Sequence, residues 1–537
     1  MTTCFAPQKI IRLGVLIIAC LFAFSCSFGV GDNAWTKTFS VSQKTDIGSA
    51  TGSIDANQNV IAIWQQTAYE EREDPANINL TEVDAFSTFY QFGRNSLLYS
   101  FYRAESKVWT APVTLHNGTW VETHTIKKIN DNDGNSANDL ISSSENSGIL
   151  PAIDPQVRMD SNGDAIAVWQ QIDLATENSA TTCNNESTQI QCGPVITSVW
   201  TARFSTSTAT WSTPIVLDLS TEIAKNVTLE LDSANNAIAV WRQWDAASSI
   251  YTLYASHYMA ADNTWVSPAR ISDAIIDVES FKLSIDGLNN AFITWQSVDH
   301  GFAGFSLDRI YAIRYTGGVW ESTSTVISND SGNATNPSIS SDSAGNAWLI
   351  WQQTDSEDRT STESIWASRF NIDSMSWGTP GLIENSELQA QNPDIHAANT
   401  SIIATWEQED IKDLDRNNTT EVSNIYISVY DTNANAWGAA SLLENDNVYD
   451  ANQPRIYTQA NNSVMITWRQ YQNPVTNSGF ALLSKNYSAR TGLSGLTTIT
   501  SGGQISNSSL YIYQDKAIAL WEEQADKSGT VQVKFKR

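Results

Sequence analysis

The segment NAIAVWRQWD, Asn236–Asp245, is one of eight related copies in a chain of 537 residues. Each copy is a run of small and apolar residues that ends on a tryptophan: Trp64, Trp169, Trp241, Trp295, Trp351, Trp406, Trp468 and Trp521. The spacings are 105, 72, 54, 56, 55, 62 and 53 residues, a basic period near 55 with insertions in the first two units. A period of this size belongs to a propeller or a solenoid, because one such unit cannot bury its apolar face without a neighbour.

Other features keep the same register. Asp stands nine residues before the tryptophan in five copies (Asp55, Asp160, Asp232, Asp286 and Asp342), within segments such as DSNGDA that carry tight-turn chemistry. After the tryptophan comes a second aromatic strand (VWTARFS, LYASHYM, IYAIRYT, IWASRFN), then a polar turn and a Trp-led segment such as WSTPIVL. Each unit therefore reads as four short strands, a to d, with the repeat on strand b. The last copy is followed only by VQVKFKR, a strand c without a strand d, while AWTKTFSVS from Ala34 reads as a strand d without a unit. Pairing the two would close a ring and remove exposed edges. The expectation is an all-β, eight-bladed β-propeller of four-stranded antiparallel blades, closed by the N-terminal strand and filling residues 27–537 as one domain. A solenoid or two stacked domains would not need complementary ends.

The net charge of −27 excludes nucleic acid and anionic membrane surfaces as partners, and favours cations, basic partners or simple solubility. At the N-terminus, Lys9 and Arg12 precede twelve mostly apolar residues, Leu13–Phe24, the length of a signal-peptide core and too short to span a bilayer. AFSC, ending at Cys26, resembles a bacterial lipobox; IIAC at Cys20 fits the local pattern but leaves a very short apolar core. The resemblance implies a signal peptide over 1–26, a lipid on Cys26 and membrane contact through that anchor alone. Ser27 after it implies outer-membrane sorting. Ordinary cleavage and secretion is the alternative. Cys183 and Cys192, the remaining pair in the mature part, read as one loop disulfide.

The turn-plus-tryptophan pattern resembles the Asp-box repeats of sialidase-type propellers, with Asp and Trp spaced more widely than in Ser-x-Asp-x-Gly-x-x-Trp. It is more similar to uncharacterised bacterial lipoproteins built from tryptophan-rich repeats. Sialidase chemistry would need three converging arginines, but Arg103, Arg203, Arg314 and Arg369 recur at one repeat position on strand c, as structural residues do.

The tryptophans themselves read as core. The polar residues after them have two readings. Gln lies two past the tryptophan at Gln66, Gln171, Gln243, Gln353, Gln408 and Gln470, and Asp lies four past it at Asp173, Asp245, Asp299, Asp355 and Asp410. In a cyclic fold they would form a ring able to collect a cation, Ca²⁺ being the candidate, or a basic ligand. Locally, each Asp would cap its own b–c turn and each Gln would bond a backbone group. DNDGNSAND, Asp131–Asp139, resembles a calcium loop loosely. The a–b and c–d turns read as short and uniform. The b–c and d–a connections are long, acidic and on one face, where binding is expected. No metalloprotease, serine-hydrolase or phosphate-loop motif is present, and the five histidines, His116, His124, His257, His300 and His396, show no ligand spacing. The chain thus reads as a monomeric envelope binding module for a protein or glycan. A glycan-active enzyme and a structural envelope protein are the alternatives.

Overall fold

The computed structural model describes residues 38–40, 46–71, 86–128, 140–148, 152–173 and 196–536, with breaks at 219, 221, 274–276, 300–306, 357–360, 385, 399–400, 416–417, 445–448, 459–462, 472–479, 514–515 and 526–527. Side chains are described over 49–66, 96–117, 152–171 and 197–499, with the same breaks and with 299 and 411–421 also excepted. Among the described residues there is no α-helix; strands form antiparallel sheets that repeat along the chain.

Unit 3 shows the pattern. Strand a, Ala224–Leu231, pairs with strand b, Ala237–Asp245, which pairs with strand c, Ile250–Met259. Strand d is not the continuous strand expected from the sequence. It is two short bridges to strand c, Thr264–Trp265 and Ala269–Arg270. The segment between them holds Pro268, which has no N–H to give the ladder. The same broken strand d recurs in units 2, 4, 5 and 6.

Strand b is apolar on both faces because it is covered on both. In unit 2, Ile166 and Val168 pack into one cluster with Ala237, Ala239 and Trp241 of unit 3. Ala165, Ala167 and Trp169, which point the other way, pack against Ile61, Ile63 and Phe101 of unit 1. Period-2 alternation thus sends each tryptophan to the preceding unit and the branched residues before it to the following one. Trp241, Trp295 and Trp406 also lie flat against the tyrosine opposite on strand c, Tyr254, Tyr311 and Tyr426. The strands a lie side by side in succession, and that of unit 1, Asp46–Ile54, also adjoins Thr497–Tyr513 of the last unit. Thr38–Ser40 pairs antiparallel with Gln532–Lys534.

The insertions differ from loops. The first b–c segment continues the ladder, with Val60–Glu71 pairing Phe86–Arg103 out to Glu71↔Gln91. The following d–a segment adds Val113–Lys128 and Leu140–Gly148 to the same sheet. In unit 6 the acidic run Glu407–Asp415 is the end of strand b, paired with Asn418–Ile425. Alternating β-branched and polar residues, as in THTIKK, are why these insertions extend strands. The c–d turns are also less uniform than their sequences suggest: unit 4 turns on Gly317–Gly318 alone, where its neighbours use four residues.

Candidate functional site

The repeated tryptophans described at side-chain level, Trp64, Trp169, Trp241, Trp295, Trp351, Trp406 and Trp468, are all buried. The glutamines two residues on share their strand face and are drawn into the same interior. Gln171, Gln243, Gln353, Gln408 and Gln470 are buried, and Gln66 is half-buried. The amide oxygens of Gln243, Gln353, Gln408 and Gln470 accept the indole N–H of Trp241, Trp351, Trp406 and Trp468 at 3.0, 2.9, 3.0 and 3.2 Å. The amide nitrogen of Gln243 donates to the Glu222 carbonyl at 2.9 Å, and that of Gln470 to the Tyr449 carbonyl. In units 3 and 7 the clamp thus ties a core indole to the segment that leads into its own strand a.

The aspartates four past the tryptophan sit at the b–c end of their own units. Asp245 accepts the Ala247 N–H at 3.0 Å and lies 3.8 Å from Arg270; the backbone donor, with the Ser248 hydroxyl, holds its carboxyl below the usual range. Asp355 accepts the Ser364 hydroxyl at 2.9 Å. Asp410 accepts Asn424 at 2.7 Å and the Tyr426 hydroxyl at 2.8 Å. Asp173 and Asp299 end strands b of units 2 and 4, and their side chains lie outside the described residues, as do Cys26, Cys183, Cys192 and Asp131–Asp139. Among the described residues no three His, Cys, Asp or Glu side chains gather as metal ligands do.

A second set of residues, unmarked in the sequence, does come together. Every strand a has a register shift, falling in units 2, 3, 5, 6 and 7 at Asp154, Asn226, Asn336, Asn392 and Gln453. All five have positive φ, between 49° and 57°. Four precede a proline (Pro155, Pro337, Pro393 and Pro454), which a bulge tolerates because the ladder is already interrupted there. The bulged N–H turns sideways to the preceding unit, to the residue just after its tryptophan. Asn226 donates to Gln170 at 2.9 Å, Asn336 to Gln296 at 3.2 Å, Asn392 to Gln352 at 3.0 Å and Gln453 to Glu407 at 2.6 Å. These bonds lace each of those strands a to strand b of the unit before it, at the end where the b–c and d–a connections emerge.

Below the lacing, one register position on strand a, opposite the residue before the tryptophan, carries Thr51, Gln156, Thr228, Lys282, Ser338, Asp394 and Arg455 in units 1 to 7. Asp394 is fixed by the Ser338 hydroxyl at 3.0 Å and the Ile456 N–H at 2.8 Å. Lys282 is solvent-accessible but ringed by protein. That enclosure holds its ammonium below the ordinary lysine value, with Arg455, three units on, adding to the effect and Asp394 opposing it. Side chains of units 4, 6 and 7 thus lie near enough to act on one another electrostatically. Two residues further along the same strands, Arg158 pairs with Glu230 through bonds of 2.7 and 3.2 Å. His396 lies 3.2 Å from the Thr458 hydroxyl, and burial pushes its pKa down to about 4.

No family model matches this chain, and no curated protein does. Solved structures that are similar in part include a protein of unknown function from Dyadobacter fermentans (9% identity, TM-score 0.39, covering 72% of this chain and 95% of that one). Others are a Penicillium chrysogenum α-L-arabinanase (11%, TM-score 0.37, 58% and 92%) and a PL25 ulvan lyase (11%, TM-score 0.40, 85% and 90%). At these identities and scores no residue role passes from them to this chain.

Proposed function

We propose that the chain is an exported β-propeller of eight blades that binds a polar glycan through the mouth of its central channel. The observation that carries this reading is the strand-a position where Lys282, Asp394 and Arg455 replace the uncharged residues of the other described units. Two cations facing one fixed carboxylate suit a ligand that brings both an anionic group and hydroxyl donors. Eight copies of the tryptophan segment, the pairing of Thr38–Ser40 with the last strand, and the adjacency of the first and last strands a support a closed ring. The lipid on Cys26, the outer-membrane location and the Cys183–Cys192 disulfide complete the proposal, on the sequence patterns given above.

An array of neutral, carboxylated and sulfated glycans tests it, with wild type beside Lys282→Ala and Arg455→Ala. Acidic glycans should be retained by wild type, and each variant should lose roughly tenfold in affinity, the scale of one charge-assisted hydrogen bond. Retention unchanged in the double variant removes the channel from the reading. Depolymerised product would move the protein to the enzyme class. Incorporation of labelled palmitate, abolished by Cys26→Ser, tests the anchor separately.

A further inference from the structure

Three arginines on strand c reach across to the next unit. Arg203 lies over Tyr258 with its guanidinium carbon 5.9 Å from the ring centre, Arg314 over Phe370 at 5.1 Å and Arg369 over Tyr430 at 5.9 Å. Each guanidinium then ends on one residue of the neighbour's c–d turn, Asn263, Met375 and Asn435 respectively. All three turn residues have positive φ, 54°, 51° and 52°. Asparagine suits that conformation and offers an amide oxygen. Methionine suits it less and offers only a thioether, a weak acceptor. The Arg314 nitrogen stands 3.3 Å from the Met375 sulfur.

Arg314 is also short of oxygen on its own unit. Arg203 pairs with Asp164 at 2.7 Å, and Arg369 donates to the Asn346 amide oxygen at 3.2 Å. The residue in that position in unit 4 is Asn290, and its amide oxygen accepts the Thr316 hydroxyl instead. Arg314 is only 4% exposed, held between Phe292 at 5.4 Å and Phe370. Among the described residues its guanidinium forms no ion pair, its Nε has no partner, and the Met375 sulfur is its one acceptor. A buried cation with so little hydrogen bonding is costly. Met375 itself is 56% exposed. An under-bonded guanidinium thus lies on the inner side of a thioether that solvent reaches.

We propose that Met375 is an oxidation site for hydrogen peroxide, and that its sulfoxide oxygen takes, between units 4 and 5, the place that Asn263 and Asn435 fill at their own boundaries. A sulfur lone pair attacks one peroxide oxygen and the O–O bond breaks. The sulfur is oxidised by two electrons to the sulfoxide, and the peroxide is reduced to water as the departing hydroxide takes up the proton of the transferred oxygen. Rotation about the Cγ–Sδ bond then turns the new oxygen to the Arg314 guanidinium. Oxidation of a core methionine disrupts its packing. Here it supplies a buried cation with the acceptor it lacks, and so tightens the boundary. The site shares no residue with the strand-a charges.

The full chain is treated with stepped doses of hydrogen peroxide, each methionine peptide is weighed by mass spectrometry, and urea unfolding is followed alongside. Met375 should gain one oxygen before Met259, which is 38% exposed. At the dose where only Met375 is oxidised, the urea midpoint should rise by roughly 0.3 M, the scale of one hydrogen bond to a charged group for a chain of this size. Met375→Leu should lose that rise. Met375→Asn, suited to the positive φ, should show a raised midpoint without peroxide. Arg314→Leu should remove the response to oxidation; where that variant does not fold, Met375→Asn decides. Met259 oxidised first, a midpoint unchanged or lowered by the Met375 sulfoxide, the same rise in Met375→Leu or Arg314→Leu, or Met375→Asn no more stable than wild type overturns the proposal.

Discussion

Replacing Gln243 by leucine tests the tryptophan clamp where its geometry is most complete. The substitution keeps side-chain volume nearly constant and removes an acceptor 3.0 Å from the Trp241 indole and a donor 2.9 Å from the Glu222 carbonyl. Trp241 is 0% exposed and Gln243 3%, so no water can replace the acceptor, whereas Glu222 lies closer to solvent and its carbonyl can be hydrated. The dominant cost is therefore one buried unsatisfied N–H, about 1–3 kcal/mol. Trp241→Phe removes that N–H in advance, so adding Gln243→Leu there should cost less by about 1–2 kcal/mol, the coupling energy of the pair. Urea unfolding of the four proteins measures it. With a slope of roughly 3 kcal/mol per molar or more for a chain of this size, Gln243→Leu should lower the midpoint by under about 1 M. The comparison holds only where the four slopes agree, since a repeat array can lose cooperativity. If Gln243→Leu costs the same in both backgrounds to within about 0.5 kcal/mol, the glutamine is not an indole clamp.

Three further outcomes follow from the same geometry. Unit 4 has Ser297 in the glutamine position and leaves the buried Trp295 indole N–H without a partner, so Ser297→Gln should raise stability by about 0.5–1.5 kcal/mol in urea; a loss of stability would mean the site has no room for the clamp. The unfolded chain protonates His396 near its ordinary value of 6.5 and the folded chain only near 4, so stability should fall as pH drops through that window, by up to about 3 kcal/mol. His396→Asn should flatten the urea midpoints across it, and identical pH profiles would refute the assignment. Asp410→Asn should let the Tyr426 phenol, held up by burial and then by Asp410, ionise at lower pH, read from phenolate absorbance; an unchanged titration would show that the pair is not formed in solution.

The repeat made the scaffold legible. Trp, Ala and the turn Asp recur because every unit meets the same neighbours, and a strand period of two forces one assignment of faces. The same rule places a glutamine two residues past a core tryptophan in the core too. A buried indole needs an acceptor, so the partner of Gln243 could have been read from Trp241 itself. The insertions looked like loops because Glu70–Asp74 and Glu407–Asp415 are acidic, yet pairing with a long neighbouring strand keeps Glu70–Glu71 and Glu407–Asp415 extended. The approach of the strand-a charges was not legible. Lys282, Asp394 and Arg455 stand more than 50 residues apart, and only the succession of strands a brings their charges within reach.

That contrast separates support from recognition in a repeat fold. A side chain facing the next unit is constrained by a surface that hardly varies from boundary to boundary, so its identity recurs, as the buried tryptophans and strand-c arginines do. A side chain that no neighbouring unit covers meets solvent, and packing does not fix its type. The strand-a position running Thr51, Gln156, Thr228, Lys282, Ser338, Asp394 and Arg455 therefore varies where the opposing residues on strand b do not lose their fit. His257 is the converse case. It breaks the pattern at a packed boundary, where its ring lies on Tyr315 at 4.3 Å in the place that Arg314 and Arg369 take over Phe370 and Tyr430 at the boundaries that follow.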